Sequence, residues 1–117
     1  MTLRMPKRLR QSKSHARSKV QEKELASRIG GKTTKRSGGG SEKGDVRLRG
    51  WTRIECKTTK RSTFSVNSGM IDKIEQAAMS AGELPVIHIE LEEGKREVVV
   101  MPRWALDMLM ERVLKTL

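Results

Sequence analysis

The chain has 117 residues, with 25 Lys and Arg against 14 Asp and Glu, and its net charge of +11 gives a sequence pI near 10.4. This length suits one small domain with a single core and excludes a second independent domain. No stretch approaches the roughly 18 consecutive apolar residues that a membrane-spanning helix needs. The first twenty residues also lack the apolar segment of a secretory signal, so we expect a soluble cytoplasmic protein with no membrane partner.

The positive charge is concentrated in the first half of the chain. Residues 1–60 carry 18 Lys and Arg and 5 Asp and Glu, a net charge of +13, whereas residues 61–117 carry 7 and 9, a net charge of −2. Such asymmetry is typical of proteins that bind nucleic-acid backbones, because each neutralised phosphate releases condensed counterions. A solvated basic segment with no partner is the alternative. The single Cys56 excludes an internal disulfide.

The N-terminal region is predicted to hold a disordered basic arm at residues 1–17, followed by the domain itself at residues 18–117. Ser18 starts a capping-box pattern, and the spacing that follows predicts a helix over residues 19–29, closed by two glycines. Its apolar stripe consists of Leu25, Ala26 and Ile29. Helical spacing from this stripe turns Glu22 inward.

The middle of the chain shows the alternation of β-strands. Residues 45–49 and 51–59 predict two antiparallel strands joined by a turn. Residues 32–37 contain the β-branched Thr33 and Thr34 and are compatible with a short strand, before a mobile glycine loop at residues 38–41. A third strand, also short, is predicted around residues 64–66. These strands would form the first part of one sheet.

The second half of the chain predicts two helices and a hairpin. Residues 70–81 keep helical spacing, residues 86–92 and 96–101 form a hairpin, and a final helix follows Pro102. The stripe of that helix consists of Leu106, Leu109, Met110, Val113, Leu114 and Leu117. The resulting order α-β-β-β-α-β-β-α predicts an α+β domain, with a central mixed sheet flanked by helices.

Charged side chains that suit phosphate chemistry cluster on the two central strands. Glu55 and Lys57 share one face because residues two apart in a strand point the same way. A short hairpin between the two strands would bring the carboxylate of Asp45 within metal-bridging reach of Glu55. Mg²⁺ favours one or two carboxylates with a backbone carbonyl, here that of Cys56, and several waters. An ammonium beside the metal can orient a water and offset charge in the transition state.

Asp45 and, ten residues later, Glu55-Cys56-Lys57 form a pattern that resembles the motif of the PD-(D/E)XK nucleases without its proline. Four segments give a narrower match, namely Gln21-Glu22-Lys23-Glu24-Leu25, Lys35-Arg36-Ser37-Gly38-Gly39, Ile54 to Thr59, and Pro85 to Ile89. These segments resemble those of Holliday-junction resolvases of the archaeal type. Together they span roughly residues 20–110. The fold expected from this resemblance is nuclease-like.

The resemblance implies roles for individual residues. Glu22, Asp45 and Glu55 would hold or support Mg²⁺, for which Mn²⁺ is a possible substitute, and Lys57 would position the attacking water. The residues that would meet DNA are Lys23, Lys35, Arg36, Ser37, Gly38 and Gly39. Charge adds the basic arm, namely Arg4, Lys7, Arg8 and Arg10. Lys23 replaces the arginine of the family and cannot bind a phosphate bidentately.

The expected activity is paired, metal-dependent cleavage of four-way DNA junctions by a homodimer, and a phage genome would suit such a protein, which would then act in the host cytoplasm. Another nuclease of the same superfamily, acting on branched, nicked or specific duplex DNA, is the nearest alternative. A non-catalytic basic DNA-binding protein is the alternative from a different class. The acid pair and the lysine disfavour this last reading.

Overall fold

The computed structural model describes residues 7–33 and 46–117, with side chains from residue 17 onward. These described residues form three α-helices, five strands and one 3-10 turn. In chain order these are α1 (Lys7–Ile29), β1 (Lys32–Thr33), β2 (Val46–Leu48), β3 (Thr52–Thr58), α2 (Ser68–Met79), β4 (Leu84–Leu91), the 3-10 turn (Glu92–Gly94), β5 (Arg96–Val100) and α3 (Arg103–Thr116). The order has the predicted form α-β-β-β-α-β-β-α, but β1 stands in it in place of the strand predicted at residues 64–66. The α+β class is confirmed.

All five strands form one mixed sheet in the order β1-β2-β3-β4-β5. The pairs β1–β2, β2–β3 and β4–β5 are antiparallel, whereas β3 and β4 are parallel. The parallel pair needs a crossover connection, and α2 provides it. In this strand order, β3 lies in the middle of the sheet.

The sheet is covered on both faces because its strands alternate with period two. On one face, Ile54, Cys56 and Val86 pack with Leu25 and Ala26 of α1. On the other face, the cluster consists of Ile74 from α2 with Ile87 and Ile89 from β4. The inward direction of the Leu25 stripe is confirmed, and Ile54 and Cys56 are buried on the same face of the sheet.

A buried carboxylate ties the β2–β3 hairpin to the start of β4. The side chain of Glu83 is fully buried and accepts hydrogen bonds from Arg47 Nε at 2.7 Å and Arg53 Nε at 3.3 Å. The backbone N–H of Gly50, in the hairpin turn, donates to the same carboxylate at 3.0 Å. Two guanidinium groups and one amide thus compensate a charge that has left water.

The helix α1 is longer than the sequence predicted. It begins at Lys7 rather than at residue 19, so it includes most of the segment predicted as a disordered arm. Residues 7–29 contain neither Gly nor Pro, and Arg17 pairs with the buried carboxylate of Glu90 at 2.9 and 2.8 Å. This pair anchors α1 to the sheet ahead of the predicted start. A Cβ at Gly94 would collide with the same guanidinium.

Three further predictions are wrong, described only in part, or outside the described residues. Residues 64–66 form no strand; Phe64 instead packs against the Ile74, Ile87 and Ile89 cluster as part of an irregular segment that leads to the N-cap at Asn67. Only Lys32–Thr33 of the predicted strand at residues 32–37 is described as one. The predicted loop at residues 38–41 lies outside the described residues.

The last helix is held by a few polar contacts at its inner side. Trp104 Nε1 donates to Glu75 of α2 at 2.7 Å, and Arg112 stands 5.2 Å above the ring of Trp51. The only fully buried residue of α3 is Ala105. None of the three described helices combines the length with the apolar character that a bilayer span requires.

Candidate functional site

The site is built on β3, where the chain places an acid and a base on one face of the central strand. Lys57 Nζ lies 3.3 Å from Glu55 Oε1. The Glu55 side chain is 17% exposed and that of Lys57 is 35% exposed. The two side chains are thus paired with each other and still accessible to solvent. The predicted juxtaposition of Glu55 and Lys57 is confirmed. The cause is the strand alternation that sends Cys56 into the core between them.

The two side chains lie on the face of the sheet that α2 partly covers. In the parallel ladder, Glu55 stands beside Ile87 and Lys57 beside Ile89. The side chain of Ile74 in α2 packs on those two isoleucines. Glu55 and Lys57, on the neighbouring strand β3, remain partly exposed to solvent beside this apolar cluster. A partly desolvated carboxylate next to an ammonium can bind a hard cation and orient a water molecule.

The other predicted metal ligands stand differently in the structure. Asp45 lies outside the described residues. Glu22 is half-buried on α1, which packs on the face opposite to Glu55 and Lys57. The side chain of Cys56 is buried among core residues, and its carbonyl belongs to β3. In residues 7–33 and 46–117, no three His, Cys, Asp or Glu side chains form a group that could hold a metal ion.

Most of the predicted DNA-contacting residues cannot be placed. Lys23 is exposed on α1. Lys7, Arg8 and Arg10 belong to the N-terminal part of α1, whose side chains are not described. The predicted DNA-contacting residues that lie outside the described residues are Arg4, Lys35, Arg36, Ser37, Gly38 and Gly39.

A buried polar chain behind Lys57 was missed by the sequence reasoning. The Gln21 carboxamide nitrogen lies 3.0 Å from the Lys57 carbonyl oxygen, 3.2 Å from the His88 carbonyl oxygen and 2.8 Å from His88 Nδ1. Gln21 is only 1% exposed. Its position four residues before Leu25, on the apolar stripe of α1, is the signal that could have identified it.

The chain continues from His88 to the surface. His88 Nε2 lies 3.1 Å from Glu97 Oε1, and Arg28 holds the same carboxylate through contacts of 2.6 and 3.4 Å. The hydrogen bond from Arg28 and its positive charge lower the pKa of Glu97, and His88 acts in the same direction. The same carboxylate raises the pKa of Arg28. Residues from α1, β4 and β5 are thereby joined.

The pairing of Glu97 with Arg28 and His88 predicts that the folded protein loses stability in acid. Because the folded-state pKa of Glu97 lies below its ordinary value of 4.5, the stability that it contributes is present above that pH and is lost as the pH falls through the folded-state value. Urea unfolding between pH 7 and 3 should therefore show wild type and Glu97→Gln converging as the pH falls. A constant difference across this range would contradict the role of the ionised carboxylate.

Comparison of the chain with protein-family models, with curated proteins and with solved structures finds no match. We therefore infer its function from the geometry around Glu55 and Lys57 and from its charge.

Proposed function

We propose that this protein is a Mg²⁺-dependent endodeoxyribonuclease of the PD-(D/E)XK type that resolves four-way DNA junctions. The observation that carries the proposal is the pair Glu55 and Lys57, 3.3 Å apart on one open face of the central strand. An acid and a lysine at this spacing are the chemical core of the motif that the sequence resembles. The mixed sheet between helices also agrees with that resemblance.

The strand pairing supports a place for Asp45 in the same site. Val46 pairs with Ile54, the residue before Glu55. The residue that follows Asp45 in the sequence is thus paired with the residue that precedes Glu55. Two carboxylates from neighbouring strands are a donor set that suits Mg²⁺.

The donor set proposed for this site suits a hard divalent cation. Glu55 would hold Mg²⁺, or Mn²⁺ in its place, together with Asp45 and the Cys56 carbonyl. Glu22 is not included in this set, because α1 packs on the face of the sheet opposite to Glu55 and Lys57. The ion, when bound, supplies Lewis-acid activation of the scissile phosphodiester. Lys57 would orient the attacking water, because its ammonium is held by Glu55 beside the open face. Sequence charge supports nucleic acid as the substrate, with the excess in residues 1–60.

The test uses a synthetic four-way junction and a linear duplex of the same sequence, each incubated with Mg²⁺ or with EDTA. Paired cuts in the junction that need Mg²⁺ are the expected result. Cleavage of nicked or linear DNA at an equal rate would indicate a different nuclease specificity. Salt-sensitive binding with no cleavage under either condition would indicate a non-catalytic DNA-binding protein.

The exposed face of α3 suggests that the active form is a homodimer. Val113 is 44% exposed, Leu114 65% and Leu117 94%, and Val99 on the edge strand β5 is 60% exposed. Such a set of apolar residues on one helix is typical of an interaction surface. The C-terminal half carries a net charge of −2, so two copies would meet there with little repulsion, unlike the +13 half. A two-fold dimer would present two sites to the two scissile phosphates of a junction.

Replacing Val113 and Leu117 together by Asp should convert a dimer into a folded monomer, because both side chains are exposed and neither supports the core. Light scattering at micromolar concentration measures the mass, with Lys115→Gln on the same helix as the matched control. Wild type with the 13.2 kDa mass of one chain and intact paired cleavage would contradict the dimer.

A further inference from the structure

The amide of Gln21 is buried at the junction of α1 with the two parallel strands. Its nitrogen lies within 3.2 Å of three acceptors, two of them main-chain carbonyl oxygens and the third a ring nitrogen of His88. Carbonyl oxygens only accept hydrogen bonds, so the NH₂ end must face them, and the orientation of the amide is fixed by its surroundings. Two hydrogens are therefore shared among three acceptors.

The tautomer of His88 follows from the same contacts. Its Nδ1 faces a donor and so carries the lone pair, which places the ring proton on Nε2. That proton is donated to Glu97 Oε1 at 3.1 Å. A continuous chain of donors and acceptors thus runs from the exposed Arg28 through Glu97 and His88 to Gln21, and ends on the Lys57 carbonyl.

The oxygen end of the Gln21 amide reduces the stability of the folded chain at this position. Its oxygen, Oε1, is buried and has no hydrogen-bond partner among the described residues. An unsatisfied buried acceptor lowers the stability of the folded chain, because it has lost its hydrogen bonds to water. An apolar side chain of similar length would fill the same space without that penalty. The benefit of Gln21 must therefore lie in what its nitrogen holds.

We propose that Gln21 is a positioning residue for Lys57, an inference that rests on the proposed nuclease function. The Lys57 ammonium is on the α2 face of β3, whereas Gln21 approaches from the α1 face. The Gln21 carboxamide donates to the main-chain carbonyls of Lys57 and His88, on the neighbouring strands β3 and β4. It thereby fixes the backbone position of Lys57 relative to Glu55, and it acts through the main chain rather than by contact with substrate or metal.

Gln21→Met tests the proposal, because Met has nearly the same length but no donor. We expect the junction cleavage rate at saturating substrate to fall about tenfold or more, since small misplacements of catalytic groups are costly. Junction affinity should stay within about twofold, because neither side chain contributes charge to phosphate binding. Gln76→Met, at an exposed position of α2, is the matched control and should match wild type in both measurements.

A purely structural role would give a different result. If Gln21 only supports the core, Gln21→Met lowers the unfolding midpoint, yet its folded fraction at low temperature cleaves at the wild-type rate, and the proposal is overturned. If Gln21→Met does not fold, Gln21→Asn replaces it, since the shorter amide keeps the donor but does not reach the Lys57 carbonyl. Rate loss with intact affinity and a folded spectrum supports the proposal for either variant.

A measurement without substrate separates this inference from the nuclease proposal. In wild type, NMR should show the Gln21 carboxamide protons protected from solvent exchange, and His88 with its proton on Nε2. In Gln21→Met, the carbonyl resonance of Lys57 should shift, while in Gln76→Met it should not. Rapid exchange of the Gln21 amide, or an unmoved Lys57 carbonyl, would overturn the positioning role. Absence of any wild-type cleavage with these NMR results intact would instead refute the nuclease function alone.

Discussion

Glu55→Gln should abolish cleavage of a four-way junction while its affinity for the junction stays close to that of wild type. The amide keeps the shape of the side chain but is a much weaker ligand for Mg²⁺ than a carboxylate. A catalytic metal stabilises the charge of the transition state by several kcal/mol. Without it, the cleavage rate should therefore fall by about 10³-fold or more. The basic residues are unchanged, so binding should persist. Cleavage assays and gel shifts on the same preparation measure the two effects.

Asp45→Asn should behave in the same way, and Lys57→Ala should also bind without cutting, since Lys57 acts after binding. Glu111→Gln is a suitable control, because Glu111 is exposed on α3 and pairs with the equally exposed Lys115 at 3.7 Å. Wild-type cleavage rates for Asp45→Asn or Glu55→Gln with Mg²⁺ would show that the metal site has been assigned wrongly.

Glu83→Ala should lower the free energy of unfolding more than the substitutions at Glu97 and Glu111 do. Its fully buried carboxylate is shared by Arg47 and Arg53 and by the backbone amide of Gly50. Removing it leaves Arg53, itself 5% exposed, as a buried charge without its carboxylate. Breaking one side of a buried ion pair costs about 3–5 kcal/mol. Urea denaturation followed by circular dichroism measures the change in the free energy of unfolding.

Two companion variants separate charge from shape at this position. Glu83→Gln keeps the volume and one acceptor, so its loss should be smaller than that of Glu83→Ala but still measurable. Glu111→Ala removes an exposed carboxylate and should change stability by less than about 0.5 kcal/mol. A loss below about 1 kcal/mol for Glu83→Ala would show that the carboxylate does not hold the hairpin against β4.

The order of elements could be predicted because short-range periodicity is strong in this chain. Alternation around Ile54 and Cys56 identified β3, and helical spacing of Leu25 and Ala26 identified the inner face of α1. The start of α1 could not be predicted in the same way. Its extension to Lys7 accompanies the ion pair of Arg17 with Glu90, 73 residues away in sequence. Local patterns carry no information about such a partner.

The sequence by itself determined the α+β class, the period-two alternation of β3, and hence the shared face of Glu55 and Lys57. These follow from backbone geometry, which repeats every two residues in a strand and every 3.6 in a helix. Only the tertiary structure decided which polar residues the core encloses. Glu83 and Gln21 resemble ordinary polar residues in the sequence, but packing of distant segments buried them and supplied their hydrogen-bond partners. Burial of a polar side chain depends on the groups that long-range contacts bring to it, and those contacts exist only in the folded chain.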